Sequence, residues 1–202
     1  PRGFTFGEYN NNNFKTIRSR RDHRNLSLFH DYLTDSLGFS YFDNGKTSGL
    51  ASYGKVIPEL KKYFENLLKV KKNGIYFLNK RYKKSNVNLS KIKPSEYNRS
   101  KIFRTNPGDT NIYRAGVKYL QKDIAATGEI VLKEKLIELL YELKKISKYK
   151  NLVCSGGLFQ NVSLNNEILN SGLFKKVFFS MSASDSGLSL GAAQYIWAKK
   201  KK

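Results

Sequence analysis

The chain has 202 residues, 40% of them hydrophobic and 13% aromatic, a composition that suits one globular core and excludes a disordered or fibrous chain. No apolar run approaches the ~20 residues needed to cross a bilayer, and the single cysteine, Cys154, excludes a disulfide framework and a thiolate zinc site, so a reducing cytoplasm fits best. The formal charge of +21 would attract any polyanion, but the lysines are spread along the chain without an aromatic-plus-basic RNA motif, so specific nucleic-acid binding is not expected.

Pro1 stands where an initiator methionine is usual, so the chain reads as truncated or cut from a longer frame. The opening reads as a hairpin. Phe4 and Phe6 alternate with small or polar residues, Asn10 to Asn13 form the turn, and Phe14-Lys15-Thr16-Ile17 resumes the strand pattern. Leu26, Phe29, Leu33 and Leu37 then recur at helical spacing, with Gly38 as the stop. His23 and His30 lie seven residues apart here with no carboxylate-rich motif, so each reads as structural or exposed.

Residues 43–55, Asp-Asn-Gly-Lys-Thr-Ser-Gly-Leu-Ala-Ser-Tyr-Gly-Lys, read as a glycine-punctuated loop. A second helix opens at Pro58 and buries Leu60, Phe64, Leu67 and Leu68. Residues 71–110 hold one strand-like run, Ile75 to Leu78, inside an irregular lysine-rich insertion. From Asn111 to Ser147, Ile124, Val131, Leu132, Leu136, Leu139, Leu140 and Leu143 make an apolar stripe, with Gly128 as a break between two helices.

The last third alternates strand and helix. Asn151 to Cys154 is a buried strand, Ser155-Gly156-Gly157 a turn, and Val162 to Leu169 a helix stopped near Gly172. Lys176 to Ser180 is a second strand, followed by a loop with Asp185 and a helix from Leu188 to Ala198. This is an α/β arrangement, and Lys199 to Lys202 form a solvated tail.

Two places suit chemistry. Glycines between a strand and a helix let backbone N–H groups approach a phosphate, and Asn161 is placed to cap the helix or bond a nucleotide; Gly156-Gly157 equally suits a tight turn. Neither the P-loop nor the dinucleotide fingerprint is present. Asp185 can ligate a metal through oxygen, although a helix cap is the stronger reading from local context alone. Cys154 ends an apolar run and reads as a buried small residue.

Five ordered segments resemble the carbamoyltransferase family of nodulation-factor and antibiotic O-carbamoyltransferases. Residues 151–161 resemble its strand and "GGVALN" turn, residues 171–177 its "SGLFDRV" element, and residues 185–193 its "D-x-G-x-x-x-GAA" run. Leu37-Gly38-Phe39 with residues 45–54 resembles "LGF…GKVMGLAPYG", and Asp123 to Ala126 resembles the "DIAAS" helix start. Asn44 stands where the family has an acidic residue before Gly-Lys, and Glu129 falls near its usual glutamine.

The resemblance implies an actin/Hsp70-like (RNase H-like) nucleotide-binding fold, present in part, as the C-terminal half of a domain related to the enzyme of tRNA threonylcarbamoyladenosine synthesis. Residues 1–70 would supply the hairpin, helices and nucleoside-side loop, 71–110 the insertion, and 111–202 the nucleotide-binding α/β segment. The implied inputs are ATP and carbamoyl phosphate, joined as carbamoyl adenylate, with a hydroxyl of a sugar or natural product as acceptor. The implied nucleotide contacts are Gly156, Gly157, Asn161, Lys46 and Gly49. Asp185 is the implied ligand of a divalent metal, iron in the family, whose histidine ligands belong to an N-terminal half. That half and an adenylate-forming domain are the implied partners, and without them the chain is expected to be inactive. The alternative reading is a non-catalytic nucleotide- or RNA-binding module of the same superfamily.

Overall fold

The computed structural model describes residues 3–11, 13–20, 25–40, 43–70, 76–78 and 119–200. They form a mixed α/β structure in two compact units, residues 1–143 and 144–202.

The first unit opens with antiparallel strands β1 (Phe4–Asn10) and β2 (Asn13–Arg20), closed by an Asn10–Asn13 pair. Asn11 takes the left-handed conformation at φ 48°, which asparagine tolerates better than most residues. Helix α1 (Leu26–Ser36) starts at Asn25, whose side chain accepts from the Leu28 N–H at 3.0 Å. It ends as the sequence indicates. Gly38, at φ 81°, turns the chain so that its N–H and that of Phe39 reach the Asp35 and Thr34 carbonyls. His30 is buried on this helix, which selects the structural of its two readings; His23 lies outside the described residues.

Residues 44–51 correct the loop reading, because Asn44–Ala51 is a helix, α2. It lacks an apolar stripe and carries two glycines, so propensity and pattern both argue against it. Hydrogen bonds to other elements hold it instead: Thr47 donates to Thr34 at 2.9 Å and Asn44 to Asp31 at 3.0 Å, both on α1.

Helix α3 (Pro58–Leu67) begins with proline at its first turn and buries Leu60, Phe64 and Leu67. Phe64 meets Phe29 of α1 edge to face at 5.6 Å, a geometry worth about 1 kcal/mol beyond the buried area. Leu68, also buried, begins β3 (Leu68–Val70), which pairs antiparallel with β4 (Tyr76–Leu78). The rest of the expected insertion, 71–75 and 79–110, lies outside the described residues, as do 111–118 of the expected helical stretch.

Helix α4 (Gln121–Ile146) brings a second correction. It runs unbroken through Gly128. A Cβ at that position would overlap the Leu33 side chain, so this glycine permits close approach to α1 and does not end a helix. The apolar stripe from Ile124 to Leu143 is buried as the spacing indicates. Lys61 of α3 donates to Glu134 of α4 at 2.7 Å, a bond that raises the ammonium above its ordinary pKa.

The second unit is built on two parallel strands, β5 (Asn151–Cys154) and β6 (Lys176–Phe179), paired in register from Asn151–Lys176 to Cys154–Phe179. Between them run a 3-10 turn (Gly157–Gln160) and helix α5 (Val162–Asn170), which buries Leu164 and Ile168. Gly172, at φ 65°, turns the chain after α5, and Lys144 stacks over the Phe174 ring at 5.2 Å. Helix α6 (Gly187–Lys200) closes the unit.

Candidate functional site

Parallel strands place both of their carboxyl ends on one side, where ligands of open α/β sheets bind. Here β5 leads into Ser155-Gly156-Gly157, and β6 leads into the loop carrying Asp185. Two backbone bonds tie these segments together: the Gly156 N–H donates to the Ala183 carbonyl at 2.5 Å, and the Ser180 N–H donates to the Cys154 carbonyl at 3.1 Å. The sequence indicated both segments; their joining through Ala183 had no local signal.

The two glycines of the turn differ in kind. Gly156 sits at φ 116°, ψ 155°, a region essentially restricted to glycine, so the backbone conformation alone accounts for it. Gly157 has no positive φ, and a Cβ built there meets nothing within 4 Å. Neither strain nor crowding requires glycine at that position. Its N–H and that of Leu158 open the 3-10 turn, where no earlier carbonyl of the turn can accept them, and Gly157 is exposed.

Asn161 caps α5, its Oδ1 accepting from the Leu164 N–H at 3.0 Å. Of its two expected roles, the cap is present. Asp185 is exposed; its backbone carbonyl accepts from the Leu188 N–H at 3.1 Å, and the neighbouring Ser184 and Ser186 hydroxyls bond each other at 2.8 Å. No described residue engages its carboxylate, which makes it available to a ligand. Among the described residues no three His, Cys, Asp or Glu side chains gather as a metal set, so Asp185 offers one oxygen ligand and no more. Gly187 holds this loop closed, because a Cβ there would overlap the Ser182 carbonyl.

Lys46 and Gly49 lie in the other unit, on α2. The Lys46 ammonium is 63% exposed and pairs with Asp43 at 3.0 Å, an interaction that solvent makes weak. Gly49, like Gly45, has open space where a Cβ would stand, leaving that part of α2 bare backbone.

Beneath α2 lies a buried polar cluster that the sequence reading missed. Ser48 donates to Glu129 of α4 at 2.5 Å, and the Nε2 of His30 lies 3.1 Å from the same carboxylate oxygen. The histidine pair meets the distance of an ion pair without the alignment of a hydrogen bond, leaving Nε2 incompletely satisfied. Asn44 uses its amide N–H on Asp31, an arrangement that an acidic residue at 44 would replace with two facing carboxylates.

Cys154 is buried at the end of β5, and desolvation pushes its thiol up to about 12. It is a poor nucleophile there, since the thiolate is the reactive form. Iodoacetamide at pH 8 is expected to leave Cys154 unlabelled in the folded chain and to label it fully in urea. Equal labelling rates in the two conditions would contradict the burial.

A family model described as the carbamoyltransferase N-terminus matches residues 8–194. The chain is similar to nodulation protein NolNO of Sinorhizobium fredii, 30% identical over 159 residues, which cover 78% of this chain and 20% of that protein. It is 28% identical to nodulation protein NolO of Bradyrhizobium diazoefficiens over 174 residues, covering 85% of this chain and 28% of that protein. Nodulation protein U of Azorhizobium caulinodans is 38% identical over 76 residues, 36% of this chain and 14% of that protein. The chain thus spans between a fifth and three tenths of the length of the first two relatives.

Proposed function

The chain belongs to the carbamoyltransferase N-terminus family, and from that premise we propose that it forms the nucleotide-cradling part of an O-carbamoyltransferase with an actin-like fold. The donor is carbamoyl adenylate, made from ATP and carbamoyl phosphate. The acceptor is a hydroxyl of a sugar or natural product. In the transfer the acceptor oxygen bonds to the carbamoyl carbon, the bond from that carbon to the phosphate oxygen breaks, AMP leaves, and the hydroxyl proton passes to solvent or a base.

The observation that carries this reading is Gly157. Its missing side chain has no explanation in conformation or packing, and close approach of a phosphate supplies one. Because the Gly156 N–H is already given to Ala183, the donors left for phosphate oxygens are the N–H groups of Gly157 and Leu158. A divalent cation held in part by Asp185 would polarise the carbamoyl carbonyl as a Lewis acid. The remaining ligands would come from sequence outside this chain, as would the adenylate-forming activity.

The test is a chimaera in which this chain replaces the matching segment of the Bradyrhizobium NolO. Calorimetry with ATP is expected to show binding that Gly157→Val weakens at least about tenfold, or about 1.4 kcal/mol, with the circular dichroism unchanged. Equal affinity in both forms would remove the phosphate role. The charge of +21 favours one other reading, an RNA-binding module without transfer activity; RNA affinity falling steeply with salt, with no carbamoyl transfer by the chimaera, would support it.

A further inference from the structure

Asn165, early in α5, uses only one end of its side-chain amide. Its Nδ2 donates to the Phe159 carbonyl at 2.8 Å, while Oδ1 is shielded from solvent and has no hydrogen-bond partner among the described residues. Reversing the amide gives no relief, because two acceptors would then face each other at Phe159. A buried acceptor without a donor costs at least as much as one ordinary hydrogen bond contributes. By stability alone, an apolar side chain of the same shape serves this position as well. A choice that local stability does not explain points to function.

The bond to Phe159 falls on the turn proposed to hold phosphate. The closing carbonyls of a short 3-10 turn find no N–H within it, and Asn165 supplies one for Phe159. Phe159 is held twice more: its N–H donates to the Gly156 carbonyl at 2.9 Å, and its ring lies 6.2 Å from that of Phe179 at the end of β6. Gly156 is itself tied to Ala183. Gly157 and Leu158 therefore stand between two anchored residues, and with them the two N–H groups left for phosphate oxygens. Donors fixed before the ligand arrives bind it without the cost of ordering them.

We propose that Asn165 is a positioning residue for the phosphate turn. It acts through the Phe159 carbonyl, holding the Gly157 and Leu158 N–H groups in place, and makes no contact with the nucleotide itself. The inference rests on the nucleotide reading of that turn.

The test uses the NolO chimaera with ATP and compares Asn165→Leu, Gly157→Val and Ile168→Val. Leucine keeps the shape of asparagine and favours a helix, and it removes the orphaned acceptor together with the donor. The urea midpoint of Asn165→Leu is therefore expected to match the wild type. Its ATP affinity is expected to fall about tenfold, because the loosened turn must be re-ordered on binding. Ile168→Val, a core truncation on the same helix, is expected to do the reverse, lowering the midpoint and leaving ATP affinity unchanged. Wild-type affinity in Asn165→Leu, with Gly157→Val still weakened, would overturn the positioning role and leave the phosphate role standing. A lowered midpoint in Asn165→Leu, or its failure to fold, would overturn it as well, because Asn165 would then serve the fold. If Gly157→Val binds ATP as tightly as the wild type, the phosphate role falls and this inference falls with it.

Discussion

Gly54→Ala is expected to destabilise the first unit by about 3–4 kcal/mol, the sum of an overpacking strain and the loss of two buried or half-buried hydrogen bonds. A Cβ at this position would overlap the Lys122 carbonyl, with Asp123 N at 2.9 Å behind it. The obstacle is backbone, not the end of a flexible side chain, so the 54–57 segment and the start of α4 would have to part. Their parting breaks specific contacts. The Lys55 N–H donates to the buried Asp123 carboxylate at 2.9 Å, and the Ile57 N–H to the Thr127 hydroxyl at 3.0 Å. Thr127 in turn donates to the Asp123 carbonyl at 2.6 Å.

The control lies five residues away. Gly49→Ala introduces a Cβ into open space on a helix, where alanine is favoured over glycine by up to about 1 kcal/mol. It is expected to raise the urea midpoint where Gly54→Ala lowers it. If both substitutions shift the midpoint alike, the contact between Gly54 and α4 is not present in solution. In the chimaera, Gly49→Ala also tests the nucleotide contact that the family resemblance implies for Gly49, since a gain in stability joined to weaker ATP binding cannot come from folding.

Asp185→Asn in the chimaera is expected to slow carbamoyl transfer about a thousandfold, equivalent to about 4 kcal/mol of lost transition-state stabilisation. The carboxylate is exposed and no described residue uses it, so removing its charge breaks no internal contact. The backbone bond from Leu188 N–H to the Asp185 carbonyl survives the change. The melting temperature should therefore stay nearly constant while bound metal, measured by elemental analysis, falls with activity. A variant that keeps its metal and its rate would remove the metal role of Asp185.

How much of this was legible in advance follows the range of the forces involved. The hairpin, α1, α3 and the parallel strands with their connecting helix are written in local terms: alternation for strands, three-and-four spacing for helices, and asparagine or glycine at their ends. Those signals act between residues close in the chain, so reading along it recovers them. The glycine turn and the Asp185 loop were found the same way, as punctuation between periodic segments.

Helix α2 is the opposite case. All of its residues but Leu50 and Ala51 are polar or glycine, and its conformation depends on Asp31, Thr34 and Glu129, the last of these 81 positions from Ser48. Buried hydrogen bonds between distant polar side chains leave no periodic trace, so a sequence that folds into this helix reads as loop. Gly128 was misread for a related reason: alone it weakens a helix, but here it admits Leu33 of another helix, and the packing outweighs the propensity. The sequence by itself determined the local elements, the turn chemistry and the family. The tertiary structure alone decided that α2 is a helix, that α4 is continuous, and that Gly156 spends its N–H on Ala183, because each depends on which distant groups meet.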